Sequence, residues 1–291
     1  MAGAGLTALG EYSDQIDELL GLIYKKAQQT TEAPHAVIAV GGYGRRQMLL
    51  HSDVDVLIVF DQPVGPSEET FLKSMLHPLW DLRLEVGHHV RELATLEAVE
   101  SENPEYLVSL LDARFLAGNT TVFNDFSKSC LASNTVWRTG TREALCELIR
   151  IRHSQFANTL YHLEPDIKNV PGGLRDISAI RMLQASADSH PRLALEVGRL
   201  AEAEDFMLRI RSILHLERGR NFNLLSHELQ DIVASAFNLG NSAPRRIVET
   251  LMSTYFHHAR IVSRSLAEST KALTPLSDNK PVPVGKQLVK Q

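Results

Sequence analysis

Cysteine is scarce. Cys130 and Cys146 are the only two in 291 residues, too few and too far apart for a disulfide framework or a zinc site. They read instead as buried thiols in a reducing compartment. No apolar run approaches the roughly 18 residues a membrane-crossing helix needs. The first ten residues lack the basic start and apolar core of a secretory signal. A strong charge of either sign is missing too: a net charge of −5 gives no basic surface for general nucleic-acid binding, local patches aside. There is no internal repeat. These absences predict a cytoplasmic protein that neither enters a membrane nor grips nucleic acid. What is present is 44% hydrophobic and 22% charged residues, an ordinary globular balance, and a length that predicts two domains.

Residues 37–60 organise the rest. Val37-Ile38-Ala39-Val40 is short, β-branched and bounded by glycine, the pattern of a buried strand. Gly41-Gly42-Tyr43-Gly44 follows, then Arg45-Arg46 and a short segment of helical potential. After Ser52, residues 53–60 form a second strand candidate that opens with Asp53 and Asp55. Side chains alternate faces along a strand, so the two carboxylates point the same way, about 7 Å apart. Such a pair can share a divalent cation, and magnesium is held by one or two carboxylates plus phosphate oxygens and water. Backbone N–H groups at the glycine turn can hold a phosphate beside that metal. Strand, glycine turn and paired aspartates together describe a site for a nucleoside triphosphate with Mg2+, or with Mn2+ in its place.

Around this centre, apolar steps of three and four over residues 9–27 predict an amphipathic helix. Ser67 is expected to cap a helix whose buried face includes Phe71, Met75 and Leu79. Residues 83–90 are the candidate third strand. Beyond Glu92 strand signals give way to helical stripes near residues 144–160, 206–214 and 229–237, and Pro244 opens a last helix. The expected fold is α+β: a domain with a small mixed sheet at residues 1–92, an all-helical domain at 93–269, and an extended or disordered tail at 270–291.

The chain resembles a known family. Gly41-Gly42-Tyr43-Gly44-Arg45-Arg46 with His51-Ser52-Asp53-Val54-Asp55 is similar to the nucleotidyltransferase motif of the polymerase-β superfamily, in the form found in bacterial PII uridylyltransferases. Leu79-Trp80-Asp81 with Val86-Gly87-His88, Leu110-Leu111-Asp112-Ala113-Arg114, and Pro171-Gly172-Gly173-Leu174-Arg175-Asp176 strengthen the match, over residues 10–265. The resemblance implies a polymerase-β-like fold and Mg-dependent transfer of UMP from UTP to a tyrosine hydroxyl of a PII-type signalling protein. Full-length members continue into a phosphohydrolase domain and two glutamine-sensing domains. The expectation here is transfer without either. Residues 48–51 and Asn103 depart from the family pattern and leave Asp53 and Asp55 intact.

Asp53 and Asp55 are therefore the expected metal ligands. The superfamily usually adds a third carboxylate from a neighbouring strand, for which Glu85 is the choice, ahead of Asp81 and Asp112. Gly41, Gly42, Gly44 and Arg45 are expected at the nucleotide; Arg46 also stands within reach of the triphosphate, and one of the two arginines is expected to face solvent or be ion-paired. Arginine suits phosphate because its planar fork donates two hydrogen bonds at once. Ser52 either donates to the γ-phosphate or caps the turn. Arg150, Arg152 and His153 read by composition as a solvated basic face, whereas the resemblance places Arg152 at the nucleotide. Lys168 and Arg175, either side of Gly172-Gly173, are expected across the cleft from the aspartates; the alternative is a tight interdomain turn with Arg175 and Asp176 paired. One of His88 and His89 is expected to face the core, and His257-His258 to be packing and surface. Two other functions fit the residues: an adenylyltransferase acting on glutamine synthetase or a small molecule, and a non-catalytic nucleotide-binding regulatory module.

Overall fold

The computed structural model describes residues 5–96, 109–129, 135–185, 197–238 and 244–271. Helix α1 (Leu6–Ala27) leads through a short turn into strand β1 (His35–Ala39), the helical turn α2 (Gly41–Gly44) and strand β2 (Val54–Phe60). Helix α3 (Pro66–Asp81) and strand β3 (Val86–Glu92) follow, then β4 (Arg114–Gly118) and α4 (Thr120–Ser127). Beyond these come α5 (Thr135–Gln155), α6 (Leu174–Ala185), α7 (Val197–Arg218), α8 (His227–Ala236) and α9 (Pro244–Lys271). Among the described residues no helix is long and apolar enough to cross a membrane.

The four strands form one mixed sheet in the order β3-β2-β1-β4. β1 pairs antiparallel with both β2 and β4, and β2 pairs parallel with β3. A parallel neighbour requires a crossover, which α3 supplies. Every residue of β1 is buried, as expected of a central strand covered on both faces. Val37 and Ala39 pack with Val56, Ile58 and Phe60 against Ile16 and Leu20 of α1 and Phe71, Met75 and Leu79 of α3. Ala36 and Ile38 face the other way, with Leu57, Val59 and the α4 residues Val122 and Phe126. Each of the valine, leucine, isoleucine, methionine and phenylalanine side chains contributes about 1.5–3 kcal/mol by leaving water. The helical region has its own core, in which Met207, Ile210 and Leu214 of α7 meet Leu251, Tyr255 and Val262 of α9.

The α+β architecture is as expected, with four differences. Strand signals do not end at Glu92: β4 lies beyond it and completes the sheet, so the sheet-bearing part runs past the expected boundary. β4 is a five-residue edge strand, half-exposed over most of its length, with a register shift against β1. Such a strand has no clean alternation to read. The cap of α3 is Gly65 rather than Ser67; Glu68 Oε2 accepts from the Gly65 amide at 2.9 Å, and the Ser67 hydroxyl donates to Glu68 Oε1. β3 starts three residues later than expected. His88 and His89 are both exposed on β3, an edge strand of the sheet, with the Trp80 ring 5.9 Å from that of His88. Most of the tail, together with Asn103 and Cys130, lies outside the described residues.

The segment between α5 and α6 is built around two carboxylates. Asp166 Oδ1 accepts from the amides of Lys168 and Asn169, both at 2.9 Å. Asp176, with no exposed surface, accepts from the Gly172 amide at 2.7 Å and His153 Nε2 at 3.0 Å, and it pairs with Arg152. Replacing Asp176 by Ala removes the buried carboxylate on which Arg152, His153 and the Gly172 amide converge. The expected loss is about 3–5 kcal/mol, read as a lower urea midpoint by far-UV circular dichroism.

Candidate active site

A cavity of about 230 Å³ lies between the sheet and the helical region. Gly41, Gly42 and Tyr43 of the glycine turn, with Arg45, Ser52, Asp53 and Asp55, line one side, whereas Gly44 lies outside the lining; Lys168, Arg175, Ser178, Glu204, Leu208, Arg211 and Asn221 line the other. Asp53 ends the connection into β2, and Asp55 is that strand's second residue. In the parallel register Asp55 stands opposite Gly87 of β3. A Cβ added at Gly87 would fall 2.4 Å from Asp55 Oδ1. The missing side chain is therefore what lets the carboxylate lie over the neighbouring strand.

Asp55 is held high. Burial first, then the negative charge of Asp53, push its carboxyl from 3.8 up to about 6, while Lys168 and Arg45 pull the other way. Lys168 shows the mirror image: burial and the cations Arg211 and Arg175 draw its ammonium down to about 8, against the pull of Asp53 and Asp55. A buried carboxylate crowded by the charge of a second one suits a divalent cation, which relieves both costs.

The glycine turn is braced from behind. Arg114 of β4 donates from Nη1 and Nη2 to the two carboxylate oxygens of Asp17 on α1, at 2.6 and 3.0 Å. The same guanidinium reaches the Tyr43 and Gly44 carbonyls at 3.3 Å, and the Tyr43 hydroxyl donates to Asp17 at 2.6 Å. A Cβ at Gly44 would fall 1.9 Å from the Asp112 carbonyl, so only glycine lets the turn press against that segment. The turn's own hydrogen bonds use the amides of Gly44, Arg45 and Arg46. Those of Gly41, Gly42 and Tyr43 have no acceptor among the described residues.

A family model described as GlnD PII-uridylyltransferase matches residues 143–269 of this chain, and one described as nucleotidyltransferase domain matches residues 23–107. The bifunctional uridylyltransferase/uridylyl-removing enzyme of Methylococcus capsulatus is 34% identical over 260 residues, covering 86% of this chain and 30% of that protein. The enzyme of the same name from Vibrio vulnificus is 35% identical over 255 residues, covering 84% and 28%. That from Bordetella avium is 35% identical over 237 residues, covering 78% and 27%. The chain belongs to the PII-uridylyltransferase family. It spans about three-tenths of the length of these curated relatives.

Within this uridylyltransferase-family cleft, Gly41, Gly42, Arg45, Ser52, Asp53, Asp55, Lys168 and Arg175 come together from segments more than a hundred residues apart. Ser52 Oγ accepts from the Leu49 amide at 3.2 Å, which makes it a turn cap, and the residue also lines the cleft. Arg45 enters the cleft but is paired with Asp112, whereas Arg46 pairs with Asp14 on the surface. Arg152 is not in the cleft lining, because Asp176 holds it. Glu85 is exposed at the foot of β3, where its carbonyl accepts from the Val54 amide. Among the described residues no third His, Cys, Asp or Glu joins Asp53 and Asp55 in a metal-sized group. Asp81 is exposed at the end of α3, away from the cleft.

Gly87, Arg114, Asp17 and Arg211 are residues that sequence reasoning passed over. Arg114 stood inside a family motif without a role, and Arg211 lies on α7 among apolar residues whose stripe drew the attention. Two outcomes follow from Asp55. Its folded-state carboxyl titrates above its unfolded value, so this group's contribution to stability falls as pH rises from about 4 to about 6. At pH 7.5 without metal, Asp55→Asn is therefore expected to melt higher than wild type, by about 1–3 kcal/mol, and the difference should vanish near pH 4. Gly87→Ala is expected to keep the fold yet weaken Mn2+ binding roughly tenfold, measured by electron paramagnetic resonance.

Proposed function

We propose that the cleft transfers UMP from UTP to a tyrosine hydroxyl of a PII-type signalling protein, with Mg2+ as the working ion. The observation that carries this reading is the facing of Asp53 and Asp55 by Lys168 across one cavity, beside a glycine turn with free amides. Acidic ligands for a cation thus stand opposite basic ligands for phosphate. Family membership supports the base, since the relatives carry uridylyltransferase in their names, and the acceptor, since the matching family model is described as a PII-uridylyltransferase.

In the proposed reaction the acceptor oxygen forms a bond to the α-phosphorus, and the bond from that phosphorus to the pyrophosphate oxygen breaks. Asp53 and Asp55 would hold Mg2+, which when bound neutralises phosphate charge and favours ionisation of the attacking hydroxyl. The amides of Gly41 and Gly42 orient phosphate oxygens. Lys168 and Arg175 meet the charge that builds on the leaving pyrophosphate, where fixed cations act more strongly than they would in water. Because Lys168 titrates near 8, it can hold a proton at neutral pH and give it to the departing oxygen. The Arg45–Asp112 pair fixes the wall of the cleft and keeps Arg45 beside the turn.

The test is incubation with labelled UTP, MgCl2 and a PII protein, followed by mass analysis for one added uridylyl group and by peptide mapping to tyrosine. Wild type is expected to label the acceptor with UTP far faster than with ATP. The variant carrying Asp53→Asn and Asp55→Asn is expected to lose at least about a thousandfold in rate while folding normally. Equal labelling by that variant would overturn the site, and a preference for ATP would overturn the base.

A further inference from the structure

Arg211 is a buried cation without a matching anion. It projects from α7 into the floor of the cleft and is 8% exposed. Two neighbouring arginines do have carboxylate partners: Arg45 pairs with Asp112, and Arg181 with Glu204. Among the described residues Arg211 has no carboxylate within ion-pair distance. Its Nε donates to Asn223 Oδ1 at 2.5 Å and its Nη2 to Asn221 Oδ1 at 3.3 Å, both neutral acceptors. Asp166 and Asp53 act on it only at longer range. Burial pulls its guanidinium down to about 10, so it remains charged at neutral pH.

A charge removed from water and met only by amide oxygens is a standing cost to the fold. Folding alone gives no reason to keep it, since an apolar side chain of similar length would fill the same space at lower cost. An anionic ligand does give a reason, because a guanidinium held in place and partly stripped of water binds phosphate oxygens strongly. The support around it is rigid. The Asn223 carbonyl accepts from the Ile167 amide at 2.9 Å, and Leu224 bridges Asp166. The segment that orients Arg211 is thereby tied to the segment that carries Lys168.

We propose that Arg211 is a binding residue for the polyphosphate of the substrate, with Asn221 and Asn223 as its positioning residues. The assignment rests on the nucleotidyl-transfer reading of the cleft for its ligand class. The guanidinium meets phosphate oxygens at the floor while Lys168 meets them from the side. No contact with base or acceptor is needed, so inorganic tripolyphosphate with Mg2+ is a sufficient probe.

Arg211→Met and Arg211→Lys are compared with wild type by calorimetric titration of Mg-tripolyphosphate and of Mg-UTP, and by thermal melting without ligand. Affinity for both ligands is expected to fall roughly ten- to a hundredfold in the Met variant and less in the Lys variant. The ligand-free Met variant is expected to melt at or above the wild-type temperature, since a buried charge has gone. A residue that serves packing alone gives the opposite pattern, a lower melting temperature with unchanged affinity. That pattern, wild-type affinity in either folded variant, or failure of wild type to bind tripolyphosphate would overturn the assignment. If the Met variant does not fold, the Lys variant decides by the same affinity criterion. Wild type that binds tripolyphosphate through Arg211 but shows no preference for UTP would uphold the inference and sink the uridylyl reading instead.

Discussion

Two carboxylates at the head of one strand repel each other, and partial burial makes that repulsion expensive. Asp55 is carried on β2 where Gly87 leaves room for it, and Asp53 precedes it on the same face. The rest of the cleft is arranged with respect to this pair. Lys168 and Arg211 bring positive charge from the helical region, and the glycine turn brings amide dipoles from the sheet. None of these groups fully neutralises the aspartates, and the aspartates do not fully neutralise them. Incomplete compensation of this kind marks a place prepared for a ligand that carries both signs, and a metal-bound polyphosphate is such a ligand.

The cost of holding like charges near one another is offset by rigidity further out. Arg114 ties α1, the glycine turn and β4 into one brace through Asp17, Tyr43 and two backbone carbonyls. Asp166 and Asp176 do the same for the loop that presents Lys168. Both braces use carboxylates whose hydrogen bonds are spent on backbone amides and guanidinium groups. These five aspartates thus divide into two kinds. Asp17, Asp166 and Asp176 have their partners within the fold, and Asp53 and Asp55 look to the cavity.

That division separates what could be read from residue order and what could not. Strand, glycine turn and twin aspartates lie within 24 consecutive residues, so local patterning was enough to find them and to infer metal and triphosphate chemistry. Lys168 and Arg175 were found from a motif, through family resemblance rather than periodicity. Arg152 shows the limit of that route. The same resemblance placed it at the nucleotide, and only the fold shows its guanidinium turned into Asp176. Glu85 shows another limit: alternation along a strand gives its face but not whether that end of the strand reaches the cleft.

By itself the sequence determined the elements whose cause is local: the helical stripes, the apolar central strand, the turn that needs glycine, and the carboxylate pair set two residues apart. Tertiary structure decided which charges meet. β4 became a strand because β1 offered an edge, Gly87 mattered because the parallel register set it beside Asp55, and Arg211 gained its place because α7 packs across the cleft. Those facts depend on distances between residues remote in sequence, and no window along the chain contains them.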